Sequence, residues 1–301
     1  MSSHTVASRP LTAIGPTEEG RQRRGRAVAR FLRRNPLALL GLTLFLLWVA
    51  LSVFAPLVAP YGPLEQHIVD RLQGPSGTYW FGTDQLGRDN FSRVLYGGRL
   101  SLPAGLAVVV LAGLIGTTLG AVAGFVGGWV DELLMRLTEV FMAFPTIILA
   151  MAIAAALGPS LLNAVFAMVV VWWPNYARVV RALVLTVRNN EYVDAARALG
   201  AHDARILWRT VLPNCISPVL VLATLDLGNA ILIFAGLSFL GLGPEPSTPE
   251  WGRMVADGIQ YFDQWWVAAF PGFAIFTVVI AFNFIGDGLG DSLDPRIRKG
   301  L

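Results

Sequence analysis

Cysteine, lysine and histidine are almost missing from this 301-residue chain. There is one cysteine, Cys215, so neither an internal disulfide nor a cysteine-built metal site is available. The three histidines, His4, His67 and His202, are scattered and form no HExxH-type pair. Among 23 Lys plus Arg the sole lysine is Lys299, which is followed by Gly300. A phosphate-binding P-loop needs its lysine after a glycine and before Ser or Thr, so this polypeptide does not split ATP by that route. Charge is scarce too: 14% of residues are charged and 54% hydrophobic, where a soluble domain carries roughly a quarter charged.

What is present is long apolar runs, with a mean hydropathy of +0.58. Windows of about 20 nearly uncharged residues are long enough to cross a bilayer. The pattern predicts an all-α polytopic membrane protein with six spans, near Leu37–Ala59, Ser101–Phe125, Leu134–Leu157, Leu161–Leu183, Pro213–Gly236 and Val267–Leu289. The corresponding division is a basic tail (1–36), a first span with its loop (37–100), a core (101–290) and a C-terminal tail (291–301). Arg21, Arg23, Arg24, Arg26, Arg30, Arg33 and Arg34 precede the first span, and the residues just after it carry no arginine. The positive-inside rule then expects both termini in the cytoplasm. Counting crossings puts the segment after the fourth span there as well, with Arg178, Arg181, Arg188, Arg197, Arg205 and Arg209 around it.

That segment, Asn189–Pro213, is a polar island. Asn189 or Asn190 suits a helix cap, with Glu191 and Asp194 in the first turn. Tyr192, Ala195, Ala196 and Leu199 share one small apolar face, and Gly200 suits a left-handed stop. A second short helix from Asp203, with Ile206, Leu207, Thr210 and Val211 on one side, is expected to halt at Pro213. Helices at 190–212 of this kind form a knob that another protein can grip.

Elsewhere, Asp226 and Asn229 fall in the fifth span, and Asn283 and Asp287 in the sixth. Asp226, Asn229 and Asn283 suit a bundle interior, a partner or a water-filled path, whereas Asp287, near the inner surface, suits helix termination and local hydrogen bonding. Pro145 is expected to kink the third span. Trp251, Trp265 and Trp266 suit either an interfacial belt or a docking surface.

The island resembles the cytoplasmic signature of ABC-importer permeases: EAA, three residues, Gly, nine residues, Ile, one residue, Leu-Pro. Asp194-Ala195-Ala196, Gly200 and Leu212-Pro213 stand at the matching positions, with Asp194 in place of the glutamate and Thr210 in place of the isoleucine. FGTDQLGRDNFSRVLYGGRLSL (Phe81–Leu102), MRLTEVFMAFP (Met135–Pro145), WPNYARVVRA (Trp173–Ala182), LSFLGLG (Leu237–Gly243), PEWGRM (Pro249–Met254) and GDGLGDSLDPR (Gly286–Arg296) are together similar to the dipeptide/oligopeptide/nickel permease family, C-type subunit. Phe234 departs from relatives that carry an acid there.

The resemblance implies a type I importer permease fold that moves peptides or a related small solute. It implies a homologous permease partner, two cytoplasmic ATPase subunits that hold ATP and Mg, and an extracytoplasmic substrate-binding protein. The chain itself is expected to bind no cofactor, metal or nucleic acid, and to contact lipid in the inner membrane. Glu191, Tyr192, Asp194, Ala195, Ala196, Leu199, Gly200, Arg205, Leu212 and Pro213 would form the ATPase-docking region. Asp226, Asn229 and Asn283 are the polar candidates for the pathway or the subunit contact.

Overall fold

A computed structural model describes residues 35–293. The N-terminal arginine cluster and Arg296, Arg298 and Lys299 lie outside the described residues. The helices are α1 (Pro36–Val53), α2 (Ala55–Val58), α3 (Asn90–Val126), α4 (Gly128–Met142), α5 (Thr146–Leu157), α6 (Leu161–Val187), α7 (Glu191–Ala198), α8 (Asp203–Ile206), α9 (Leu212–Phe239), α10 (Trp251–Ile259) and α11 (Trp266–Leu293).

Four of these stretches are long and apolar enough to cross a membrane: α1, α3, the continuous run Asp203–Phe239, and α11. A fifth arises if α4 and α5 together make one crossing. The expected third span is therefore not one helix. Its two halves meet at 86°, because Pro145 has no N–H to continue the ladder and drives Phe144 out of the helical region. The expected fourth span lies within α6, which has 27 residues and is therefore long enough to cross, but it carries Trp172, Trp173, Pro174, Asn175, Arg178 and Arg181 and is less apolar.

The frame is α3 against α6. α3 starts at Asp89, whose carboxylate accepts the Ser92 N–H at 2.8 Å and the Ser92 hydroxyl at 2.6 Å. It runs 37 residues, roughly 55 Å at the helical rise. Gly116, Gly120 and Gly124 repeat every fourth residue and so form one ridge. A Cβ on any of them would fall closer than 3.0 Å to backbone carbonyl oxygens of α6, those of Trp173, Ala177 and Arg181 respectively. The two backbones touch only because these positions lack side chains, the small-residue mode of packing in membranes. Tyr176, Ala177, Val180 and Val184 are fully buried along the seam. α3 ends at Gly127, whose φ of +72° suits glycine.

At the end opposite α7 the connecting segments are tightly folded. In the 83–89 turn, Asp84 accepts the backbone N–H groups of Leu86 (2.9 Å) and Arg88 (3.0 Å). The same carboxylate pairs with the Arg88 guanidinium at 2.6 Å, and both residues are buried. Arg93, also buried, donates to the Pro63 carbonyl at 3.1 Å, tying α3 to the segment after α2. Glu250 caps α10 by accepting from Gly252 and Arg253 N–H, each at 2.9 Å, and its carboxylate also takes the Ser101 hydroxyl of α3 at 2.9 Å. Burial pushes the Glu250 carboxyl above its usual range, while these donors pull it back down. Trp251 is fully buried and donates to the Val94 carbonyl at 2.9 Å. Neither the belt nor the docking use expected for Trp251 holds; it is a core strut. Trp265 is 59% exposed, and Trp266 donates to the Thr83 carbonyl at 3.2 Å.

Two stability predictions follow this geometry. Gly120→Ala, which drives a methyl into the α6 backbone, should cost about 1–3 kcal/mol. Gly113→Ala, whose added Cβ would meet the Tyr176 ring at 3.7 Å, should change little. Thermal unfolding of the two variants in detergent compares them, and equal midpoints would refute the ridge. Glu250→Ala strands the donors at the start of α10 and should cost about 2 kcal/mol, read as a lower midpoint in the same assay.

Candidate functional site

The polar island forms two short helices around a glycine, set on the end of the α3–α6 frame. α6 hands over at Arg188, whose guanidinium donates to the carbonyls of Gly124 at 2.7 Å and Phe125 at 3.3 Å. This closes the last turn of α3, where cations suit the exposed carbonyls. Asn190 takes the cap position of α7 with extended backbone, but its side chain makes no cap bond. Asn189 instead donates back to the Leu185 carbonyl at 3.2 Å. The expected side-chain cap is thus absent, and the acids Glu191 and Asp194 lie at the positive helix end, where they suit the dipole.

α7 sorts its residues by side. Val193 is fully buried in the main core cluster with Phe125, Val184 and Ile206, and Ala196 packs partly against it. Tyr192 (44% exposed), Ala195 and Leu199 (88% exposed) point away from the protein. The apolar face read from the sequence therefore divides: Ala196 belongs to the anchoring side and the other three form an open surface. Asp194 and Arg197 pair at 3.2 Å on the exposed side. The Arg197 guanidinium also stands 6.0 Å from the Phe125 ring centroid, a further tie to the end of α3.

Gly200 has φ +80° with nothing within 4 Å of where a Cβ would stand. Its N–H bonds the Arg197 carbonyl at 2.9 Å, and Ala201 N–H bonds the Ala196 carbonyl at 3.2 Å. This pair of bonds is the Schellman stop that the glycine promises. The next helix differs from expectation. It does not halt at Pro213 but continues through one π turn, Leu207–Val211, into α9, giving an unbroken 37-residue run to Phe239. The Leu212 N–H reaches back five residues to the Leu207 carbonyl. This wider turn shifts the ladder just where Pro213 has no N–H to offer. The Asn214 amide then donates to the Thr210 carbonyl at 2.6 Å. Ile206, Leu207, Val211 and Leu212 are buried, whereas Arg205, Arg209 and Pro213 are exposed.

α7 is therefore joined through the glycine turn at 199–202 to the base of a long membrane helix. The apolar face read from the sequence omitted Val193, which seats α7 in the core, and took Arg188 only as a charge on the expected cytoplasmic side, not as the clasp on the end of α3. The glycine ridge beneath was readable as a spacing of four; Arg188 carries no comparable signal.

Asp226 accepts from the Trp172 indole N–H of α6 at 3.2 Å, so it has a partner in its own chain. Asn229 and Asn283 are exposed on α9 and α11. Among the described residues no group of three or more His, Cys, Asp or Glu side chains could hold a metal ion.

Residues 116–299 match the family model described as binding-protein-dependent transport system inner membrane component. Residues 24–75 match the N-terminal TM domain of oligopeptide transport permease C. The dipeptide transport system permease protein DppC of Alkalihalophilus pseudofirmus is 44% identical over 96% of this chain and 92% of its own length. The probable D,D-dipeptide transport system permease protein DdpC of Escherichia coli is 42% identical over 97% and 98%. The di/tripeptide transport system permease protein DppC of Pseudomonas aeruginosa is 46% identical over 88% and 90%. This polytopic chain belongs to the binding-protein-dependent transport system inner-membrane component family, whose members are the permease components of ABC importers.

Proposed function

We propose that this chain is one of two permease halves of an ATP-driven importer of di- or oligopeptides, and that α7 is where the driving force enters. One observation carries the reading: the 88%-exposed Leu199 and the half-exposed Tyr192 stand on a helix whose opposite side is locked into the core by Val193. An apolar surface on a rigid mount suits a groove in a protein partner. In this family ATP hydrolysis belongs to separate subunits, and the P-loop lysine is missing from this chain.

In this reading the partners are a homologous permease, two cytoplasmic ATPases that bind ATP and Mg, an extracytoplasmic binding protein that delivers the peptide, and the surrounding lipid. The arginines at the α7 end support a cytoplasmic position for the knob and for both termini. The ATP-bound ATPase must favour one conformation of the permease over the other, or no equilibrium shifts. The elbow at Gly200 and the continuous Asp203–Phe239 helix would carry that preference into the membrane. Exposed amides are costly against lipid, so Asn229 and Asn283 mark surface that faces the pathway or the second permease. The peptide reading rests on the names of the three relatives above.

Leu199→Asp leaves the fold unchallenged, because that side chain touches little of its own chain. It should cut ATPase co-purification at least tenfold, while the variant chain remains as abundant in the membrane as the parent. Gly200→Trp forces a bulky residue onto φ +80° and should abolish peptide-stimulated ATP hydrolysis in reconstituted vesicles. Normal assembly by Leu199→Asp together with normal transport by Gly200→Trp would remove α7 from the coupling route.

A further inference from the structure

A groove of about 610 Å³ opens on the membrane side between α1, α3, α9 and α11. Most of its wall is hydrocarbon, from Phe45, Val49, Leu102, Leu106, Leu227 and Phe282. Its polar character is confined to the end near the connecting segments, opposite α7. Ser52 stands there near the close of α1 and Arg99 in the third turn of α3.

Three features at that end are unfinished. Arg99 is exposed, and among the described residues it pairs with no carboxylate; its guanidinium lies 5.8 Å from the Tyr96 ring centroid. The Ser52 hydroxyl, in a residue 3% exposed, has no hydrogen-bond partner. Pro103 lies four residues after Arg99 inside α3 and has no N–H to give the Arg99 carbonyl. The groove is amphipathic along its length: one cation at the end near the connecting segments, hydrocarbon below.

We propose that this groove is a phospholipid site, with one acyl chain lying along Val49, Phe45 and Leu106 and the phosphate held by Arg99. The bilayer supplies such a molecule at that depth, oriented the same way, with its charge at the interface and its chain inward. A single fixed cation matches one phosphate. It favours lipids of net negative charge over zwitterionic ones, since the latter carry a competing cation. The occupied groove joins α1 to α3, α9 and α11, so the lipid acts as a structural filler between the first helix and the rest of the bundle. The site does not depend on α7 or on the peptide reading.

The test uses the full chain, with whatever subunits accompany it, extracted in mild detergent and returned to nanodiscs of phosphatidylglycerol and phosphatidylcholine. Native mass spectrometry after delipidation counts the lipids that stay. One phosphatidylglycerol per chain is expected to persist. Arg99→Gln should lower the preference for phosphatidylglycerol about fivefold, the factor of one basic residue at a membrane surface. Leu106→Trp, at a half-exposed position, should reduce retention of both lipids by filling the cavity. Retention and preference unchanged in both variants would overturn the proposal. So would a photo-reactive residue at Val49 that captures the second permease and no lipid. Arg99 is on the surface, so its variant reports on the site even where the tryptophan variant folds poorly.

Discussion

Contact between two helix backbones, α3 against α6, is the constraint on which the rest depends. In hydrocarbon there is little hydrophobic force between helices, because lipid tails are as apolar as the side chains they would replace. Close packing supplies the attraction instead, and Gly116, Gly120 and Gly124 allow it by leaving the α6 carbonyls of Trp173, Ala177 and Arg181 almost no clearance. Polar ties then fix the register. Arg181 of α6 grips Asp131 of α4, with its Nη2 2.6 Å from Oδ2, and Arg188 closes the end of α3. The same frame carries the Trp172–Asp226 bond that fastens α9.

The knob inherits its rigidity from that frame. Val193 is seated among residues of α3, α6 and the 206–211 turn, so α7 is held although it is only eight residues long. An isolated helix of that length would not persist in water. The Schellman turn at Gly200 and the π turn before Leu212 then convert a surface helix into the foot of a membrane helix. Both devices exchange regular geometry for continuity. At the opposite end, Glu250 and Trp251 fasten the α10 segment onto α3, and the Asp84–Arg88 pair closes the 83–89 turn that leads into it.

Most of the helical layout was legible from hydropathy, since length and apolarity decide what suits a bilayer. The glycine stop was legible because only glycine adopts +80° freely. Less legible were effects that need a partner in space. Pro145 announces a disturbance, but nothing local distinguishes a kink from an 86° break. Pro213 reads as a stop until the π turn is seen to absorb it. Tyr192, Ala195 and Ala196 share one periodic face, yet the direction of that face depends on where Val193 finds its pocket. Trp251 looks like any interfacial tryptophan until Gly97 and Gly98 make room for its ring. Asp226 looked available to a partner or a pathway, and only the structure reveals Trp172 beside it.

The central claim is that α7 presents its Tyr192–Leu199 side to a separate ATPase while its Val193 side stays inside the protein. Photo-reactive amino acids introduced singly at Tyr192, Leu199 and Val193 in native membranes test it most directly. The account predicts adducts to an ATPase subunit from positions 192 and 199, and none from 193. Adducts from Val193 as abundant as those from Leu199, or no ATPase adduct from any of the three, would contradict it.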